Sequence, residues 1–219
     1  MRKSLSEMSL EELWQLFPII LTGHREEWET WYREEKEELA RILPSGTVER
    51  ISHVGSTAIG KIQAKPIVDI LVEAAPGTDM GELRQSLCEN GWICMSQSEN
   101  RMSFNKGYTE QGFAEKVFHL HLRYFGDNDE LYFRDYLNER PDIAEKYEQL
   151  KLSLWKKYEH DRDGYTEAKG MFVRKYTAVA KKEYGNRYEK RLYLIGGPMG
   201  VGKTTVGQLL KKNLPDCVF

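Results

Sequence analysis

The chain has 219 residues, enough for one substantial domain or a domain and a fragment, and its 32 Lys and Arg against 34 Asp and Glu leave a formal net charge of −2 with no basic surplus to favour nucleic acid. Three scattered cysteines, Cys88, Cys94 and Cys217, have no metal-ligand spacing and suit a reducing compartment rather than a disulfide framework. The start is too polar for a secretory signal and no apolar run reaches bilayer length, so a soluble, cytoplasmic protein without a membrane partner is expected.

Residues 1–23 read as a lead-in in which Ser9 and Glu12 have capping-box spacing ahead of Leu10, Leu13, Leu16 and Phe17. A helix is predicted over His24 to Leu43, with Trp28, Trp31, Leu39, Ile42 and Leu43 as its apolar face, ended by Pro44-Ser45-Gly46. Thr47 to His53 and Pro66 to Glu73 are predicted strands joined by a loop of small residues. A helix over Asp79 to Glu89 stops at Asn90-Gly91. Short strands are expected at Trp92 to Met95 and Met102 to Lys106, then a turn-rich loop from Gly107 to Gly112. Along Glu115 to Phe125 the period-two pattern puts Phe118, Leu120, Leu122 and Tyr124 on one face and His119, His121 and Arg123 on the other. The remainder of residues 24–187 reads as helices, one beginning at Pro141 and a long one over Tyr165 to Tyr184.

Residues 188–219 change character. A short apolar strand, Arg191 to Ile195, runs into Gly197, Gly202, Lys203 and Thr204 at the spacing G-x-x-x-x-G-K-[ST], followed by Thr205. The pattern points to a P-loop whose backbone N–H groups cradle phosphates, with Lys203 on the β/γ-phosphates and Thr204 on Mg²⁺, as for ATP or GTP. One strand and one helix bury no core of their own, so this segment is expected to be the truncated start of a kinase-like P-loop domain.

The chemically odd residue is Asp69, a carboxylate inside the aliphatic run Ile67 to Val72, which burial permits only with hydrogen bonds, a metal or an open cleft. Two readings stand: a metal ligand or base beside Ser56, or a structural carboxylate paired with Lys65 or Arg123. Gly55, Ser56 and Thr57 are candidates for holding phosphate oxygens, and Lys65 for neutralising them. His119 and His121 share a face and, with Asp69, form a donor set suited to zinc, manganese or iron rather than magnesium. Arg134 has the geometry for a bidentate phosphate contact or for a surface pair with Glu130.

The stretch HVGSTAIGKIQAKPIVDI (His53 to Ile70), with HLHL at His119 to Leu122, LYFRDYL at Leu131 to Leu137 and the Tyr147/Lys151 helix, resembles the GrpB-like family, a branch of the nucleotidyltransferase fold. The resemblance spans roughly Arg25 to Tyr184 and implies an α+β fold with a nucleotidyltransferase-like mixed sheet and flanking helices, followed by the P-loop β-α fragment. It implies catalytic roles for Asp69, Ser56 and Lys65. It also implies phosphate or substrate contacts from Gly55, Thr57, Arg123, Arg134, Tyr147, Lys151 and Lys169, and a divalent metal at Asp69, His119 and His121. The chain departs from the superfamily pattern at Leu71, where a second acid is expected. The expected function is therefore handling of a nucleotide or phosphorylated metabolite, by nucleotidyl transfer or, alternatively, as a catalytically silent module that binds a nucleotide or scaffolds the attached kinase.

Overall fold

A computed structural model describes residues 4–189, 195–196 and 201–213. The chain divides into two units, Met1–Asn186 and Arg187–Phe219.

The first unit is built on a sheet of five strands in the order β1-β2-β5-β4-β3. β1 (Val48–Val54) runs antiparallel to β2 (Val68–Ala74), and β2 runs parallel to β5 (Gly112–Tyr124). β4 (Arg101–Thr109) is antiparallel to β5 and to the edge strand β3 (Ile93–Gln97). Val68, Ile70, Val72 and Ala74 of β2 and Phe118, Leu120 and Leu122 of β5 point to one side, where they join Met102 and Phe104 in the main core. Alternation then forces Asp69, Leu71 and Glu73, with His119, His121 and Arg123, onto the other side.

Two helices close the core side. α2 (Glu27–Ile42) buries Trp28, Tyr32, Glu35 and Leu39 along one stripe, and α3 (Met80–Glu89) buries Met80, Leu83 and Leu87. Glu35 was no part of the expected apolar face. It is buried because Lys106 of β4 reaches it at 2.6 Å, so an ion pair ties α2 to the sheet. Tyr32 Oη donates to the Ile51 carbonyl at 2.9 Å, a second tie.

On the opposite side lie α4 (Asp129–Glu139), α5 (Pro141–Trp155) and α6 (Arg162–Tyr184), with Pro141 at the first turn of α5. Asp161 caps α6 by accepting from the Gly164 N–H at 2.8 Å, and Gly185 ends it at φ +55°. Helices α4 and α5 grip the loop between β1 and β2: Asn138 Nδ2 donates to the Ala58 carbonyl at 3.0 Å, and Lys151 Nζ donates to the Gln63 carbonyl.

The lead-in packs into this unit. α1 (Leu10–Leu16) starts with the expected capping box, Ser9 N–H donating to Glu12 at 2.8 Å. Beyond it Phe17, Ile19 and Leu21 are buried, and Trp155 Nε1 donates to the Ile19 carbonyl at 2.6 Å.

The expected loop from Gly107 to Gly112 is instead mostly strand. Tyr108 pairs with Phe113 and Thr109 with Gly112, which shortens the turn to Glu110-Gln111. The turn-forming composition of this stretch reflects a bulge: register shifts between Lys106 and Tyr108, at Gly107 with φ +88°. In the second unit α7 (Lys203–Asn213) begins directly after Gly202, whose φ is +82°. Of the predicted strand Arg191 to Ile195, residues Arg191 to Leu194 lie outside the described residues, as does the loop residue Gly197.

A Cβ on Gly107 would stand 2.2 Å from the Lys116 carbonyl oxygen, which is itself fixed in β5. Gly107→Ala is expected to destabilise the unit by roughly 2 kcal/mol or more, through positive φ and backbone collision. Urea unfolding measures it; an unchanged midpoint would show that the bulge relaxes freely.

Candidate functional site

The site forms where the loop after β1, the start of β2, the middle of β5 and the faces of α5 and α6 meet. They enclose a cavity of about 1160 Å³ whose lining includes Ser56, Lys65, Asp69, His119, His121 and Lys151. Arg162, Tyr165 and Lys169 of α6 and Tyr108 of β4 complete this end.

Gly55 makes the approach possible. It sits at φ +70°, and a Cβ there would lie 2.2 Å from Asp69 Oδ2, so the carboxylate occupies the space that any other residue would fill. Asp69 and His119 are direct neighbours in the parallel register, and Leu71 pairs with His121. His119 Nδ1 lies 3.4 Å and His121 Nε2 lies 3.5 Å from the same oxygen, Asp69 Oδ1. Burial pushes the Asp69 carboxyl up, but the hydrogen bonds from His119 and His121 outweigh it and hold the group well below the usual carboxylate range. Asp69 therefore pairs with the histidines rather than with Lys65 or Arg123.

His119 is committed on both nitrogens. Its Nε2 is 2.7 Å from Tyr108 Oη, and Arg162 donates to that same oxygen at 2.8 Å. With Nδ1–H turned to Asp69, His119 accepts the Tyr108 proton, giving an ordered chain Arg162–Tyr108–His119–Asp69. Burial pushes the His119 imidazole down, in keeping with the neutral ring this chain needs.

Three lysines crowd the cavity. Lys65 Nζ stands 5.0 Å and Lys169 Nζ 4.3 Å from the Tyr165 ring centre, and Lys151 Nζ 5.0 Å from that of Tyr147. Burial, then the charges of Lys169 and Arg162, pushes the Lys65 amine down to about 7. Burial and Lys169 bring Lys151 to about 7, and burial brings Lys169 to about 8. Tyr147 is buried beneath, pushed up to about 12 by that burial and held by a hydrogen bond with Ser56. The Tyr165 hydroxyl is buried with no hydrogen-bond partner among the described residues. Such a donor is normally satisfied.

Other predicted residues fall elsewhere. Thr57 is buried and turned inward, bonded to His53 Nε2 at 3.0 Å and donating to the Ile67 carbonyl at 3.3 Å, so its hydroxyl serves the loop and not a phosphate. His53 in turn meets Glu29 at 3.2 Å. Arg123 sits at the far end of β5, donating to the Met102 carbonyl at 3.2 Å with Glu130 3.8 Å away, and does not line the cavity. Arg134 does not pair with Glu130. It binds Asp135 at 2.6 Å and the His53 carbonyl at 2.7 Å, buttressing β1. Tyr108, Arg162 and Tyr165 escaped sequence reading because no motif marks them; Tyr108 lay in the expected loop. The fully buried Glu73, on the Asp69 side of β2, is held by Arg50 and Asn128 and is structural.

As a metal seat the group is limited. Among the described residues no cluster of three or more His, Cys, Asp or Glu side chains is arranged to hold an ion. The one acid, with Leu71 buried in place of a second, leaves the site without the acid pair that the superfamily pattern expects.

The GrpB protein family matches residues 18–179. The glutamate-rich protein GrpB of Alkalihalophilus pseudofirmus is 38% identical over 161 residues, covering 71% of this chain and 91% of that protein. The UPF0157 protein YqkA of Bacillus subtilis is 28% identical over 179 residues, 79% of this chain but only 51% of YqkA, so the chain spans about half of that relative. The crystal structure of the conserved protein GrpB from Enterococcus faecalis superposes with a TM-score of 0.65 at 28% identity, over 75% of this chain and 99% of that one. No helix among the described residues is long and apolar enough to cross a membrane.

Because Lys65, Lys151 and Lys169 carry their protons less readily folded than in the unfolded chain, the unfolded state binds more protons between about pH 7 and 10. Stability without an anion is thus expected to rise from about pH 7 to about 9.5, and Lys169→Met to flatten that rise. Denaturant midpoints across this range test it; a falling midpoint would show that the lysines are not strained.

Proposed function

This chain belongs to the GrpB family, and on that premise we propose that its first unit binds a small phosphorylated molecule, a nucleotide or phosphometabolite, in the cavity beside Asp69. The observation that carries the reading is the gathering of Lys65, Lys151, Arg162 and Lys169 in one cavity. Four cations in a confined space repel one another and lose hydration, and an oligoanion relieves both costs. Ser56 adds a neutral donor at the same end. Asp69 is the fixed negative charge that orients a proton-bearing or cationic part of the ligand. On the sequence resemblance to nucleotidyltransferases the proposed activity is a transferase, with Asp69, Ser56 and Lys65 nearest the reacting groups, and the scattered cysteines make the cytoplasm its proposed compartment.

A second reading adds a divalent ion held by Asp69, His119 and His121. It draws on two imidazoles standing beside one carboxylate, and it requires His119 to exchange its hydrogen bond to Asp69 for the ion. One carboxylate and two imidazoles suit zinc or manganese, and the ion would supply Lewis acidity toward a phosphoryl oxygen. The departure at Leu71 favours the alternative of a silent nucleotide-binding or scaffolding module. In the second unit the proposed P-loop residue Gly202 leads directly into α7, whose first turn carries the proposed Lys203, Thr204 and Thr205, as phosphate-binding loops lead into helices, with Gly197 outside the described residues. ATP or GTP with Mg²⁺ is the ligand proposed there.

Thermal shifts of the full chain with ATP, ribose 5-phosphate and inorganic diphosphate, each with Mg²⁺, Mn²⁺, Zn²⁺ or chelator, decide between these readings. A ligand at about a hundredfold its Kd adds about 2.7 kcal/mol of stability. The proposal expects a shift that persists in Lys203→Ala and disappears in Lys169→Met. The metal reading further expects dependence on Mn²⁺ or Zn²⁺ that is lost in Asp69→Asn. Shifts that survive Lys169→Met and vanish in Lys203→Ala would move binding to the second unit and sink the cavity proposal.

A further inference from the structure

We infer that the ligand of this cavity is amphipathic, a phosphoryl group joined to an apolar or aromatic body of at least nucleoside size, and that the N-terminal segment is the wall that reads the body. The inference rests on the phosphate-binding reading above and narrows it.

Polarity in the cavity is segregated. The lysines, Arg162 and Asp69 come from β2, its preceding loop, α5 and α6. The remaining wall gathers the apolar side chains, Leu5, Leu10, Leu13 and Trp14 from the lead-in and Ile93 and Met95 from the edge strand β3, beside a polar rim of Asn105, Thr109, Glu110 and Gln111 from the β4–β5 hairpin. A volume of about 1160 Å³ is on the scale of sites for whole organic ligands, roughly 300–1,000 Å³, and far more than a diphosphate fills. A ligand that used only the cationic end would leave the apolar wall facing water.

That wall has little structural duty. α1 buries none of its residues, and Leu10 at 55%, Ile93 at 45% and Met95 at 58% are among the most exposed large apolar side chains of the unit. Large exposed apolar groups converging on one concavity mark an interaction site. The segment is nevertheless held in place. Phe17, just after α1, packs 4.7 Å from Tyr108 and 5.0 Å from Phe113, ring to ring. His160 Nδ1 lies 3.3 Å from the Trp14 carbonyl. Tyr108 belongs to both ends, since its hydroxyl meets His119 and Arg162 while its ring meets Phe17. Closing the apolar wall on a body is thereby coupled to the orientation of the polar groups.

The test uses three ligands that share a diphosphate and differ only in the body: inorganic diphosphate, ADP and geranyl diphosphate. Calorimetric titrations are run on the full chain carrying Lys203→Ala, which silences the second unit. At least one of ADP and geranyl diphosphate is expected to bind about tenfold or more tighter than inorganic diphosphate, a difference of about 1.4 kcal/mol. Which of them wins says whether the body is a nucleobase or an aliphatic chain. In the added Leu13→Ala/Trp14→Ala variant that advantage is expected to fall below about threefold while the affinity for inorganic diphosphate holds, and Met95→Ala is expected to reduce it in part. Equal affinities for all three, or an advantage that survives the double variant, would overturn the inference and leave the phosphate reading intact. No binding by any of them, or binding indifferent to Lys169→Met, would instead remove the phosphate reading. Thermal melting of the double variant checks that the fold is retained, as the exposure of α1 leads one to expect.

Discussion

One carboxylate in one place organises this molecule. Asp69 lies at the start of a strand buried on both sides, and it stays ionised there because three independent features meet it. Gly55 leaves the space, His119 stands beside it in the parallel register, and His121 reaches the same oxygen from two residues on. One comes from the β1–β2 loop and two from β5. The β1–β2 loop must turn at positive φ, β5 must run parallel to β2, and its register must put histidines rather than Phe118 or Leu120 against the carboxylate. A slip of one residue would swap the imidazoles for core side chains and leave a buried charge unpaired, which is a steep penalty on any other register.

Much of this was legible in the residues. Period-two alternation in Glu115 to Phe125 separated the core face from the His119/His121 face, and the same alternation isolated Asp69 in β2. Caps and breakers placed the helices to within a few residues, including the start at Pro141 and the capping box at Ser9. Other features are long-range and left no local trace. That β2 and β5 pair in parallel is settled by the core packing between them. The roles of Thr57, Arg123 and Arg134 turned on which way a side chain points in three dimensions; each found a protein partner first. The bulge at Gly107 was misread because glycine and polar residues signal a loop and a bulged hairpin alike. Arg162 was invisible as a site residue for a similar reason, since an arginine at the start of a helix is ordinarily solvated surface.

The electrostatics of the cavity run against stability. Asp69 offsets part of the charge of Lys65 and Lys169, but its own hydrogen bonds come from the histidines. What remains is an excess of cations that burial disfavours, placed on aromatic rings that compensate only in part. Replacing such lysines by apolar residues of similar size is the change that stability alone would favour. Arrangements that a fold carries at a cost to itself cluster at functional sites, where the missing counter-charge arrives with a ligand.

The same logic bears on the histidines. A histidine that serves only as a metal ligand commonly shows one nitrogen to the open site and fixes the ring with the other. His119 instead has both nitrogens occupied, one by Asp69 and one by the Tyr108 hydroxyl that Arg162 also holds. Its ring is positioned, its tautomer is set, and its neighbours link the cationic end of the cavity to the apolar wall through Tyr108 and Phe17. A ligand bridging the two ends would therefore act on His119 from both sides, through the phosphate on Arg162 and through the body on the Tyr108 ring. The chain Arg162–Tyr108–His119–Asp69 thus ties the carboxylate, by side-chain contacts alone, to the one ring that faces both ends of the cavity.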